Sequence, residues 1–260
     1  MPDNSYQAIR ELLASNRPEE IQKGLRLVAD EIIKTGRAEA KPLFEMVTTL
    51  FYIDALDRPE LVPVLDEAIN LTAAFGSWVI PVLIESLDAG DIKSQWAIAH
   101  VLGRIGADAI DPMLEAYEAS DKSTFRAFIL YALGKIKSSK IVKGAPIALE
   151  AAKAADLELR DTAIRTLGKL VESMPPKTIP PALKQEIANC LNDRLSDENA
   201  SVRSKAVRSL GKMAKHGHLE GKDLERLRAA CHVILGTEKG EWDRAFIVRK
   251  EAEEALGYLQ

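Results

Sequence analysis

The sequence predicts an all-α chain, an α-solenoid of about seven antiparallel helix pairs, and three observations carry that prediction. The palette is aliphatic: 47% of the 260 residues are hydrophobic but only 5% are aromatic, so the core is built from Leu, Ile, Val and Ala, as helical cores are. A Leu-Gly or Phe-Gly pair recurs at the end of one helical pattern after another, at Gly76, Gly103, Gly134, Gly168, Gly211 and Gly257, spaced by 27, 31, 34, 43 and 46 residues. Two further columns keep register with those glycines. Pro81, Pro112 and Pro146 each precede a glycine by 22 residues, and Arg126, Arg160, Arg203 and Arg249 each precede theirs by eight, with Gln95 in that place in the first full unit.

Taken in order, SYQAIRELLAS and EEIQKGLRLVADEIIKTG read as one degenerate helix pair, and KPLFEMVTTLFYIDAL and LVPVLDEAINLTAAFG as the next. The latter is apolar around its circumference, which fits burial between neighbours or, alternatively, a self-association or partner surface. From residue 78 each unit is clearer. Its first helix begins near the proline, tolerated in a first turn because its missing N–H would be unpaired there. Its second helix follows an acid able to cap it: Asp91, Asp121, Asp156, Asp197 or Asp243. Apolar residues then recur at helical spacing, as in Leu159, Ala163, Leu167 and Leu170, or Val202, Ala206, Leu210 and Met213. A small residue stands two before most of the glycines (Ala74, Ala132, Thr166, Ser209, Ala255), which suits close helix packing. The longer stretches ESMPPKTIPPALK and KHGHLEGKDLE read as exposed loops, and Trp242 as a packing residue at the solenoid end. Neither insertion breaks continuity, so residues 1–260 read as one domain, with 1–77 degenerate and 78–260 clear.

Segments such as DIKSQWAIAHVLGRIG, DLELRDTAIRTLGKL and ENASVRSKAVRSLGKMA resemble second helices of HEAT repeats, especially the short bacterial and archaeal kind named after phycobilisome lyases. The resemblance implies an Asp–Arg ladder between neighbouring repeats, to which Arg126, Arg160, Arg203 and Arg249 correspond, while Gln95 departs from it. It also implies that second helices line a concave side.

Positions seven and three before each glycine, and one after it, share a helical face. They give Trp96, His100 and Arg104; Ala127, Tyr131 and Lys135; Asp161, Arg165 and Lys169; Ser204, Arg208 and Lys212; Lys250, Glu254 and Tyr258. Seven bases against two acids make this stripe +5 inside a chain of net charge −4. The helix macrodipole explains bases near helix C-termini, such as Arg104, Lys135, Lys169 and Lys212, but not Arg165 and Arg208 in mid-helix. Trp, Tyr and Arg are also the types that dominate binding hot spots. The expected function is therefore a non-enzymatic protein-binding scaffold or adaptor whose basic stripe binds an acidic partner, with self-association through the N-terminal pairs kept open.

Other chemistry is thin. His216 and His218 lack a third ligand nearby, Cys231 and His232 are sequence neighbours rather than a facing dyad, and no glycine-rich loop follows a strand. No metal or cofactor is expected. Two cysteines fit a reducing compartment; with no signal-like start and no run of about 18 apolar residues, the expected location is cytoplasmic, with no membrane partner. Two alternatives remain at this stage. A HEAT-like alkylpurine DNA glycosylase would use Trp96, Asp161 and Arg165, but His100 stands where an acid is needed and the acidic chain makes nucleic acid an unfavoured partner. A bilin lyase or chromophore-handling subunit rests on the repeat's family name alone.

Overall fold

The computed structural model describes residues 6–36, 40–237 and 240–259; Ser5, at the head of the first expected segment, lies outside them. The described residues contain no strand. The helices are α1 (Gln7–Leu13), α2 (Pro18–Thr35), α3 (Lys41–Thr48), α4 (Val62–Ala74), α5 (Ile80–Ala89), α6 (Ile92–Ile105) and α7 (Ile110–Ala119). They continue with α8 (Ser123–Leu133), α9 (Ala145–Ala151), α10 (Leu157–Glu172), α11 (Pro181–Asp193), α12 (Ala200–Lys215), α13 (Lys222–Leu235) and α14 (Phe246–Gly257). The chain forms two compact units, Met1–Ala116 and Tyr117–Gln260.

In the first unit the second helices α2, α4 and α6 stack in sequence, with α1, α3 and α5 packed beside them. The apolar α3–α4 pair is largely buried. Leu43, Phe44, Val47, Phe51, Val64 and Ala68 form its core, and Phe44, Phe75 and Trp78 meet edge to face at 5.4–6.2 Å. α3 ends earlier than its apolar pattern suggests. Thr48 and Thr49 turn their hydroxyls back to the carbonyls of Glu45 (3.0 Å) and Met46 (2.6 Å), competing with the backbone ladder. The chain tightens into a 3₁₀ turn at Thr49–Tyr52 and then leaves the helix, carrying Leu56 into solvent at 94% exposure.

In the second unit α8, α10, α12 and α14 stack, with α9, α11 and α13 beside their successors. The periodic apolar residues are buried as expected: Leu159, Ala163, Leu167, Leu170, Val202, Ala206, Leu210 and Met213 all lie in the core. The glycine and small-residue columns turn out to be two halves of one contact. A methyl added at Gly168 would meet Ser209 of the next repeat, at 2.9 Å from its Cβ and closer still to its Oγ; at Gly211 it would meet Ala255 at 3.1 Å. The small residues also bond backwards, Thr166 Oγ1 donating to Leu130 O (2.9 Å) and Ser209 Oγ to Ile164 O (3.2 Å).

Helix starts follow the expected chemistry in part. Pro81 and Pro146 are second residues of α5 and α9, and Pro112 is the third of α7. Asp91 accepts from the N–H groups of Lys93 (2.7 Å) and Ser94 (3.1 Å), and Asp156 from Leu159 (2.8 Å). The other three acids do not cap. Asp121 stays in solvent ahead of α8. Asp197 and Asp243 stand too far before α12 and α14, whose capping positions are Asn199 and Ala245; both acids turn instead to an arginine of the preceding repeat.

Two other expectations need correction. The stretches 172–184 and 215–225 are not simply exposed loops. Met174, Ile179, His218 and Leu219 are buried anchors, and each stretch runs directly into a helix, α11 or α13. Trp242 is 64% exposed rather than packed, with the Arg249 guanidinium 4.9 Å from its ring.

Candidate functional site

The arginine column is structural in a specific way. Arg160 donates Nε to Asp197 (2.9 Å) and Nη1 to the carbonyls of Ala154 (2.8 Å) and Ala155 (3.0 Å). Arg203 repeats this with Asp243 (2.7 Å) and the carbonyls of Asp197 (2.9 Å) and Glu198 (3.1 Å). Each arginine thus closes the end of its own repeat and clasps the next. Burial raises the Asp197 carboxyl, but the Asn199 N–H and the Arg160 guanidinium outweigh it and leave the pKa below the ordinary value; Arg203 does the same for Asp243. Arg126 keeps the backbone bond, to Tyr117 O (3.2 Å), and its Nη2 is 3.6 Å from Asp121. Arg249 keeps its own, to Asp243 O (2.6 Å). Gln95 retains the backbone role, donating to Leu87 O at 2.8 Å, without an acid partner.

The expected stripe divides between the units. In the second unit three of its six cations, Lys169, Arg208 and Lys212, are already engaged by acids that sequence reasoning missed. Arg208 on α12 clasps Glu251 of α14 through Nε (2.9 Å) and Nη2, and Glu251 is buried. Glu172 accepts from both Lys169 (2.9 Å) and Lys212 (2.8 Å). Burial alone would raise its pKa, yet those two ammonium groups lower it to about 2. Lys205 pairs closely with Asp161. Tyr258 donates to Glu254 (2.7 Å), with Lys215 Nζ 4.9 Å from its ring.

Lys135 and Arg165 differ. Lys135 Nζ and the Arg165 guanidinium lie 4.6 Å and 5.2 Å from the centroid of the same ring, that of buried Tyr131. Among the described residues neither has a carboxylate at ion-pair distance. The register gives the reason. Arg208 meets the acid six before the next glycine, Glu251; the equivalent position ahead of Arg165 is Lys205, a cation. Burial lowers the Lys135 pKa, and the nearby charges of Arg165 and Lys169 lower it further.

In the first unit Trp96, His100 and Arg104 lie along α6. Arg104 pairs with Asp66 of α4, both through the carboxylate and through the backbone carbonyl (3.1 Å). Trp96 and His100 line an apolar groove of about 490 Å³ between α4, α6 and the 53–61 loop, together with Ile53, Leu56, Val62 and Ile92. The units differ in charge: residues 1–116 hold 10 Lys and Arg against 19 Asp and Glu (−9), and residues 117–260 hold 25 against 20 (+5).

The remaining candidates are structural. His218 is buried, with Nε2 2.8 Å from Val171 O, and burial pushes its pKa below the ordinary value. Cys231 is fully buried, its thiol pushed up to about 11, while His232 Nδ1 pairs with Thr237 Oγ1 (2.8 Å). No group of three or more metal-ligating side chains occurs among the described residues.

Stacked second helices, a clasping arginine column and paired glycine and small-residue columns define the class: a helical-repeat α-solenoid. The HEAT repeat profile matches residues 187–217, from within α11 through α12, and the solved structures that match include a designed armadillo repeat protein. Importin beta matches with a TM-score of 0.67 and 17% identity over 97% of this chain and 35% of that one. The complex of CpcE and CpcF of phycocyanin lyase from Nostoc sp. PCC7120 matches with a TM-score of 0.56 and 17% identity, over 68% of this chain and 98% of that one. A designed armadillo repeat protein in complex with the peptide (KR)4 matches with a TM-score of 0.50 and 16% identity, over 98% and 100%. At these identities the likeness concerns the fold. The comparison with curated proteins returned no match.

Proposed function

We propose that the chain is a non-enzymatic protein-binding scaffold whose second unit holds an acidic protein segment at Lys135 and Arg165. The observation that carries this reading is the pair of cations against the one Tyr131 ring, without a carboxylate of their own among the described residues. Two like charges held together by packing raise the free energy of the unbound surface. A carboxylate brought by a partner relieves that repulsion and gains charge-assisted hydrogen bonds. Repeat solenoids related in fold include a phycocyanin lyase complex of two chains and a designed protein bound to a peptide, which supports protein or peptide recognition as the use of such a surface. Arg208 and Lys212, expected from the sequence to belong to the same surface, act first as braces between repeats.

The test is titration of a fluorescein-labelled Glu-rich peptide by anisotropy. The double variant Lys135→Glu, Arg165→Glu is expected to lose affinity at least about tenfold, and binding is expected to weaken as salt rises. Unchanged affinity, with the circular dichroism spectrum and melting temperature retained, overturns the reading. Tighter binding of duplex DNA than of the peptide would favour a nucleic-acid role instead. Arg208→Glu belongs outside this test, because it would set two carboxylates together at buried Glu251.

A further inference from the structure

We infer that the groove between α4 and α6 of the first unit is a docking site for an amphipathic helix of a partner protein, apolar on one face and flanked by Lys or Arg. The groove holds about 490 Å³ and keeps large apolar side chains in water: Leu56 is 94% exposed, Ile92 61%, Val62 46% and Trp96 42%. Covering them is favourable because it removes apolar surface from water. The occupant must pair its own backbone groups along most of the groove, because α4 and α6, which form two of its walls, have N–H and C=O groups already used within their helices. A helix does so, and it presents anchors at i, i+3 or i+4 and i+7 to such a groove.

The rim sets the charge of the occupant. Lys93 bonds Asp54 at 2.7 Å and also feels Asp57 and Asp91, so three carboxylates surround one ammonium. Arg104 is committed to Asp66. The four acids outnumber the two bases, within a unit of charge −9. An acid-flanked helix would be repelled and a basic-flanked one drawn in. This surface is therefore opposite in sign to the one at Tyr131, although His100 and Tyr131 occupy the same place in the repeat.

The probe is a fluorescein-labelled Leu/Lys peptide of about 14 residues, four helical turns, with its leucines on one face; a Leu/Glu peptide of the same pattern is the control. Saturable binding of the first is expected, at least about tenfold tighter than of the second. Leu56→Glu and Ile92→Glu, both at solvent-exposed positions, are each expected to weaken it by a similar factor. Glu at the first position of α6 is compatible with the helix dipole, so the fold is retained. Both variants add negative charge, and attraction that was merely electrostatic would grow stronger. Unchanged or tighter binding by these variants overturns the proposal, as does equal binding of the Leu/Glu peptide. Sedimentation velocity of the protein alone supplies the last arm: self-association abolished by Ile92→Glu would assign the groove to a second copy and overturn the partner helix.

Discussion

At Gly168 the helices α10 and α12 approach until a methyl group would strike Ser209, whereas the nearest inter-repeat neighbour of Gly134 is Thr166 Oγ1 at 3.6 Å, an ordinary contact. Gly168→Ala is accordingly expected to destabilise by about 1–3 kcal/mol through overpacking, and Gly134→Ala to change stability by less than about 0.5 kcal/mol, both measurable by urea denaturation. Glu172 makes a second residue-level prediction. Its pKa is about 2 when folded, against 4.5 ordinarily. Its contribution to stability is therefore complete above about pH 4.5 and is lost as pH falls towards 2. Glu172→Gln should flatten the acid limb of the stability profile in that window; an unchanged limb would show that the two lysines do not hold it. The arginine and glycine columns were legible because each recurs at a fixed distance from the same landmark. Glu172 and Glu251 were not, because each belongs to no recurring column, and the partners that join them across repeats, Lys212 and Arg208, lie 40 and 43 residues away.

The ladder operates at the level of the element. Arg160 and Asp197 are both nearly buried, at 8% and 5% side-chain exposure. Removing one partner strands the other, so Arg160→Ala is expected to cost about 3–5 kcal/mol. Arg126→Ala is expected to cost clearly less, since its acid Asp121 lies in solvent. Thermal unfolding of the two variants compares them directly, and equal losses would refute the distinction. Helix existence and order were legible from periodicity and proline placement. The early end of α3 was not: apolar periodicity runs on through FYIDAL, while two threonine hydroxyls turned back to their own helix stop it. The groove owes its open end to that stop, which is why Trp96 could be recognised as a surface residue but not as the wall of an apolar cleft.

Across the whole molecule, one net charge of −4 conceals units of −9 and +5. A stripe read in a single register therefore carries different chemistry at its two ends. The paired columns have a further consequence, for the chain as a lineage of repeats. The junction rules are few: glycine against a small residue, arginine against an aspartate two or more residues ahead of the next second helix. Excising the repeat made of α11 and α12, 43 residues from one glycine to the next, would set Gly168 against Ala255 and Arg160 against Asp243, partners of the kinds they have now. It would also bring Arg165 to the position from which Arg208 reaches Glu251. The shortened chain is expected to fold, by circular dichroism and a cooperative melt, and to bind the Glu-rich peptide more weakly because Arg165 has gained a carboxylate. Such a protein can lose a repeat by recombination and keep its seams, while the loss silences a surface elsewhere.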